Sequence, residues 1–99
     1  MDVSERALAS VKRIVLDHVR DYPVDVYLFG SRARRDANDL SDIDVALLPR
    51  GEFPIGVLSR LQEALEESTV PYRVDVVDLR QTSAAFRARV LQEGVQWAG

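Results

Sequence analysis

The 99-residue chain contains no cysteine, a single lysine, one methionine and one tryptophan. Without cysteine it has neither a disulfide framework nor a thiolate that could act as a nucleophile or metal ligand. No apolar run approaches the roughly 20 residues needed to cross a bilayer, and no signal-peptide pattern opens the sequence. We therefore expect a cytoplasmic protein without a membrane partner.

Basic residues are fewer than acidic ones. The formal net charge is −3, and all but Lys12 of the 13 basic residues are arginines. Because general nucleic-acid binders usually carry a basic face, the acidic balance argues against a nucleic-acid partner. Any phosphate bound by a basic side chain would meet a guanidinium group. Length and an apolar content of 46% fit one globular domain over residues 1–99.

The spacing of apolar residues predicts helices that alternate with strands. Helical periodicity covers residues 2–20 and 54–67, and the second of these helices places Ile55, Leu58, Leu61 and Leu65 on one face. A short helix is predicted over residues 31–36. The last helix is capped by Thr82 or Ser83 and ends at Gly94.

Three short segments rich in β-branched residues predict strands over residues 24–29, 41–48 and 73–79. The order α-β-α-β-α-β-α predicts an α/β (α+β) domain with a three-stranded mixed sheet covered by helices. The full helix between the second and third strands predicts a parallel pair with a right-handed crossover. The shorter connection between the first two strands predicts an antiparallel pair.

Gly30 and Ser31 form the first candidate site, because they close the first strand and open the next helix. Glycine permits a sharp turn, and the free N–H groups at a helix start attract a phosphate. Ser31 could add a hydrogen bond, and Arg32 and Arg34 would lie beside the bound anion. The alternative is an N-cap serine followed by a solvated basic helix face.

Carboxylates on the later strands form the second candidate site. Asp42 and Asp44 are spaced i, i+2, about 7 Å apart along a strand, and point to the same side. Mg²⁺ prefers such oxygen ligands together with phosphate oxygens. Asp75 interrupts the neighbouring strand, where a charge is costly unless it is paired or bound to metal. Asp78 points to the opposite face and is predicted to cap the turn into the last helix. An exposed polar strand end is the alternative for Asp42 and Asp44.

Three segments in this order resemble the polymerase-beta-type nucleotidyltransferase superfamily. They are the run from Phe29 to Arg34, the run from Ser41 to Val45 and the run from Val74 to Leu79. The resemblance covers essentially the whole chain and is closest to the minimal MNT-type members, which are often paired with a helical HEPN protein as antitoxin and toxin.

The resemblance implies a Mg²⁺-dependent enzyme that transfers AMP from ATP to a hydroxyl group, with release of pyrophosphate. It implies that Asp42, Asp44 and Asp75 bind two Mg²⁺ ions, and that Gly30 and Ser31 hold the phosphates. Arg32 and Arg34 join them as nucleotide-binding residues. Because no further domain holds an acceptor, a partner must present it; the resemblance implies the tyrosine of a HEPN toxin.

A second hypothesis is an antitoxin that neutralises its partner by complex formation, with catalysis weak or lost. Arg35 motivates it, because this position is commonly glycine in the family. The sequence leaves open whether the chain also forms homo-oligomers.

Overall fold

The computed structural model describes residues 3–30 and 42–98, so the short helix predicted over residues 31–36 lies outside the described part. The described elements follow one another along the chain as α1 (Val3–Val19), β1 (Val24–Phe29), β2 (Ile43–Pro49), α2 (Ile55–Glu67), β3 (Val74–Asp78), a 3₁₀ turn (Leu79–Gln81), α3 (Ala84–Glu93) and β4 (Val95–Ala98). None of these helices is long and apolar enough to span a membrane.

The sheet has four strands in the order β3-β2-β1-β4, so the expectation of three strands is wrong by one. β1 and β2 pair antiparallel and β2 and β3 pair parallel, which confirms both predicted orientations. The α/β class with a mixed sheet is also confirmed.

The additional strand is β4, which pairs antiparallel with β1. It is only four residues long and follows Gly94 directly, where the last helix ends. Its residues are exposed or half-buried, and Val95 is 47% exposed. A segment this short carries too little periodicity to predict a strand, and it becomes one because the edge of β1 offers hydrogen-bond partners.

One face of the sheet carries the larger core, covered by α1 and α2. Alternation along the strands points every second side chain to this face. The buried side chains come from the two central strands, the two helices and Phe53 in the loop between β2 and α2; they are Ala7, Val11, Val15, Val19, Val24, Val26, Leu28, Ile43, Val45, Leu47, Phe53, Val57, Leu61 and Leu65. This face contains no charged residue among those fully buried members and serves as scaffold.

The prediction that Ile55 faces the core is wrong, since this side chain is 82% exposed. The buried stripe of α2 is Val57, Leu61 and Leu65, with a spacing of four residues. Ile55 precedes Val57 by two positions, which places it about 200° away around the helix.

The opposite face of the sheet is covered by α3 and has a smaller core. Tyr27, Ala46, Leu79 and Val90 are its buried members. Because side chains alternate, Asp44 and Asp75 lie on this face with Ala46. The α3 face is therefore the side on which the candidate site is found.

Asp78 ends β3 and begins the 3₁₀ turn, in agreement with its predicted capping role. Its carboxylate accepts a hydrogen bond from the backbone N–H of Arg80 at 2.9 Å and pairs with the guanidinium of the same residue, also at 2.9 Å. Burial raises the pKa of Asp78, but the side-chain and backbone hydrogen bonds from Arg80 outweigh it, so the pKa lies below its usual value.

We expect Asp78→Asn to lower the free energy of unfolding at neutral pH by about 1 kcal/mol, because asparagine can still accept the backbone N–H of Arg80 but lacks the charge that pairs with its guanidinium. Because the folded-state pKa of Asp78 is depressed, its contribution is present above the pKa of the unfolded chain. It is lost as the pH falls through the folded-state pKa. Urea unfolding at pH 7 and near pH 3 measures this, with Asp17→Asn as the control. Asp17 forms an exposed ion pair with Arg20, so this variant should stay within about 0.5 kcal/mol of the unaltered chain. An equal loss at both pH values for Asp78→Asn would show that the charge of Asp78 is not what stabilises this turn.

Candidate functional site

Three residues on three neighbouring strands form a row across the α3 face. Asp44 on β2 lies opposite Phe29 on β1 and opposite Asp75 on β3. Paired residues on adjacent strands have their Cβ atoms about 5 Å apart, so the row brings the two aspartates within reach of each other. Asp42 comes directly before β2 and is exposed. The sheet thus gathers the three aspartates that the sequence pattern singled out at one end of its α3 face.

Gly30 follows Phe29 and has a φ of 76°, in the left-handed region that favours glycine. The sharp turn expected at this position is therefore present. A Cβ atom at Gly30 would lie 2.5 Å from Oδ2 of Asp44. The turn and the carboxylate are consequently in close contact, and a side chain at Gly30 would occupy the space that the carboxylate uses.

Asp44 is the electrostatic centre of the row. Burial raises the pKa of its carboxyl above the usual value, and the negative charges of Asp75 and Asp42 raise the pKa further. Each cause disfavours the ionised form of Asp44. Asp75 and Asp42 are thus close enough to Asp44 to repel its negative charge, and a bound cation would relieve this repulsion.

Asp75 has a counter-charge nearby, from Arg73, which directly precedes β3. Its carboxylate accepts a hydrogen bond from Nε of Arg73 at 3.1 Å, with the Arg73 side chain 74% and the Asp75 side chain 40% exposed. Within residues 3–30 and 42–98, no three carboxylate or imidazole side chains are arranged so that they could hold one metal ion as they stand. A cation shared by all three aspartates would therefore require Asp75 to turn away from Arg73, which an exposed ion pair opposes only weakly.

The donor set fits magnesium. Asp42, Asp44 and Asp75 offer only oxygen atoms, and Mg²⁺ is usually held by one or two carboxylates, with substrate phosphates and water completing its shell. The repulsion at Asp44 is the observation that favours a cation here. The remaining predicted site residues, Ser31, Arg32 and Arg34, lie outside the described part of the chain, as does Arg35.

Sequence reasoning missed a cavity of about 170 Å³ beside Gly30, between the end of β1 and α3. Its lining residues are Phe29, Gly30, Phe86, Arg89, Val90 and Glu93. Phe86 and Val90 are apolar residues of the last helix, and nothing in its periodicity marks them as residues of a site. Their helix lies next to Gly30 because of how it packs on the sheet, and a local sequence pattern does not predict such packing.

Arg87 was missed as well. Its Nε atom is buried and has no hydrogen-bond partner among the described residues. By helical spacing it lies on the same side of α3 as Val90, the buried residue of that helix. A buried guanidinium nitrogen without a partner is costly.

Comparison with known protein families identifies the class. Residues 13–97 match the family described as polymerase beta, nucleotidyltransferase. The match includes Gly30, Asp42, Asp44 and Asp75, and it extends into β4. The chain therefore belongs to this nucleotidyltransferase family.

Individual relatives agree with this assignment. The chain is 39% identical over 87 residues to the Probable protein adenylyltransferase MntA of Haemophilus influenzae, covering 88% of this chain and 75% of the relative. It also resembles a chain in a crystal structure of a toxin-antitoxin with AMP-PNP, with 30% identity and a TM-score of 0.69 over 89% of this chain and 73% of that one. A tri-AMPylated Shewanella oneidensis HEPN toxin in complex with MNT antitoxin contains a chain with 28% identity and a TM-score of 0.64, over 92% and 71% of the two chains.

Proposed function

We propose that this protein is a Mg²⁺-dependent adenylyltransferase that transfers AMP from ATP to the hydroxyl group of a tyrosine of a HEPN toxin, and thereby acts as its antitoxin. The observation that carries the proposal is the row on the α3 face. Asp44 lies between Gly30, where the chain turns, and Asp75, on a strand parallel to its own. The MntA relative is named a protein adenylyltransferase, and the Shewanella complex contains an AMPylated HEPN toxin.

In the proposed reaction, the acceptor oxygen forms a bond to the α-phosphorus of ATP. The bond between this phosphorus and the oxygen bridging to the β-phosphate breaks, pyrophosphate leaves with the bonding electrons, and the hydroxyl proton is released. Two Mg²⁺ ions held by Asp42, Asp44 and Asp75 would neutralise charge on the phosphates and on the attacking and leaving oxygens.

The chain's own residues bind and orient the reactants. Gly30 has no side chain, so phosphate oxygens can approach its backbone closely. Ser31, Arg32 and Arg34 are proposed to bind the β- and γ-phosphates beside that turn. Asp75 lies at the end of the row farther from Gly30, so the acceptor hydroxyl would enter from the β3 side. ATP as the substrate fits a cytoplasmic location.

The test is transfer of label. The purified chain is incubated with Mg²⁺, ATP labelled at the α-phosphate and a purified helical HEPN-domain protein from the same genome. We expect label on the helical protein and a mass increase of one or more AMP units, located by peptide mass spectrometry. ATP labelled at the γ-phosphate serves as the control and should transfer nothing. A partner that stays unlabelled with both nucleotides would refute the transferase.

The ion pair between Arg73 and Asp75 favours a second candidate, an antitoxin that neutralises by covering its partner. In the described structure, Asp75 already has a counter-charge and is not committed to a metal site. This candidate predicts that a variant with asparagine at positions 42, 44 and 75 still protects cells that express the toxin. Toxicity in cells that contain the stable triple variant would exclude protection by covering alone.

A further inference from the structure

We infer that the cavity between β1 and α3 binds the base of the nucleotide, with Phe86 as the stacking residue. The inference rests on the proposed nucleotide substrate and adds the position of its base. The cavity includes Gly30 in its wall, so it is continuous with the turn at which the phosphates are proposed to bind.

The direction of the row places the cavity on the nucleotide side of the site. β3 lies on one side of β2 and β1 on the other, so Asp75 and Phe29 flank Asp44 from opposite sides. An acceptor that enters beside Asp75 leaves the β1 side for the nucleotide. The cavity lies on this β1 side, against Phe29 and Gly30.

Size and lining suit a flat ring. A volume of about 170 Å³ is small beside the roughly 300–1,000 Å³ of pockets that enclose whole drug-sized ligands, so it admits one ring system. Phe29 and Phe86 meet edge to face, with ring centroids 5.6 Å apart. Phe86 is 36% exposed, although it is a large apolar residue. Part of its ring is therefore free to stack on a base.

Polar groups stand at the same cavity. Arg89 and Glu93 both line it, and Nε of Arg89 lies 3.4 Å from Oε2 of Glu93 in an exposed contact. A guanidinium and a carboxylate offer a hydrogen-bond donor and an acceptor to the polar edge of a base. Aromatic stacking supplemented by a few polar contacts is how proteins commonly hold nucleobases.

The experiment compares two ligands that differ in the base. Binding of ATP and of inorganic tripolyphosphate to the full chain, both with Mg²⁺, is measured by titration calorimetry. Phe86→Ala should weaken ATP binding about 10-fold, within a range of roughly 5- to 150-fold for a lost base stack, and leave tripolyphosphate binding unchanged. Phe86→Tyr should restore ATP binding. Leu91→Ala is the matched control, because Leu91 is an exposed residue of the same helix and does not line the cavity.

If the alanine variant is poorly folded, the same titrations are made with Phe86→Leu, since leucine keeps apolar volume but has no aromatic face. Unchanged ATP affinity in both variants, or an equal loss for ATP and tripolyphosphate, would overturn the inference. So would an unaltered chain that binds ATP no more tightly than tripolyphosphate. Failure of the proposed function would be seen in the transfer experiment, as a partner that stays unlabelled. ATP binding could still depend on Phe86 in that case, so the two failures are distinguishable.

Discussion

Asp44→Asn is expected to abolish measurable AMP transfer while leaving the protein without divalent cations at least as stable as the unaltered chain. Substituting residues that merely support metal ligands costs about 10- to 100-fold in affinity or activity, so the loss of a central ligand should cost at least roughly 100-fold. Stability should not fall, because burial and the charges of Asp75 and Asp42 all disfavour the ionised carboxyl of Asp44. A neutral amide removes this repulsion. Transfer rates and thermal unfolding in EDTA measure the two effects.

Asp78→Asn is the matched control, with the same chemical change on the adjacent strand. It should show the reverse pattern, because Asp78 is stabilised by Arg80 and lies three residues beyond Asp75. Its transfer rate per folded molecule should be retained and its melting temperature lowered. Mg²⁺ should raise the melting temperature of the unaltered chain and of Asp78→Asn, but much less that of Asp44→Asn. Full activity of Asp44→Asn would show that the Asp44 carboxylate is not required for AMP transfer.

Gly30→Ala is expected to impair both folding and transfer. The left-handed φ of 76° costs a residue with a Cβ atom about 1–2 kcal/mol. The new methyl group would also lie 2.5 Å from Oδ2 of Asp44, so the turn or the carboxylate must move. A displacement of about 1 Å in a catalytic site can cost 100-fold in rate, and we expect a loss of this order. Urea unfolding and transfer rates measure the variant.

Gly56→Ala is the control for a glycine outside the site. Its Cβ would meet only the flexible end of Arg60, at 3.4 Å, and the residue is helical, so up to about 1 kcal/mol of stabilisation is expected. A double-mutant cycle then separates the two costs at Gly30. In the Asp44→Ala background, the free-energy cost of Gly30→Ala should no longer include the contact with the carboxylate, whereas the cost of the left-handed φ should remain. Equal costs in both backgrounds would show that the carboxylate does not constrain this turn.

Local patterns sufficed for the elements that are long or bounded by clear signals. The strand β1 was predicted over its observed range because Pro23 and Gly30 delimit a β-branched, aromatic segment. The helix α2 was predicted within one residue at its start, with Pro54 now at the N-cap. The strand β4 was missed because its four residues acquire strand geometry only from the neighbouring edge of β1.

For the candidate site, the sequence supplied the residue types and the fold supplied their neighbours. Strand alternation and the parallel pairing of β2 and β3 predicted that Asp44 and Asp75 would be close, and the register places them opposite each other. The ion pair of Asp75 with Arg73 could have been suspected from their i, i+2 spacing, yet it depends on rotamers that the sequence does not specify.

The sequence by itself determined the class of this protein, because a Gly-Ser turn, an Asp-x-Asp pair and a later aspartate in fixed order are local features of the chain. The tertiary structure alone decided that Oδ2 of Asp44 occupies the space beside Gly30, and that Phe86 and Arg89 close a cavity at the same turn. Those contacts join residues that are 14 to 59 positions apart, between Gly30 on one side and Asp44 and Arg89 on the other. They follow from how α3 packs across the sheet, which is set by the whole core and by no single segment.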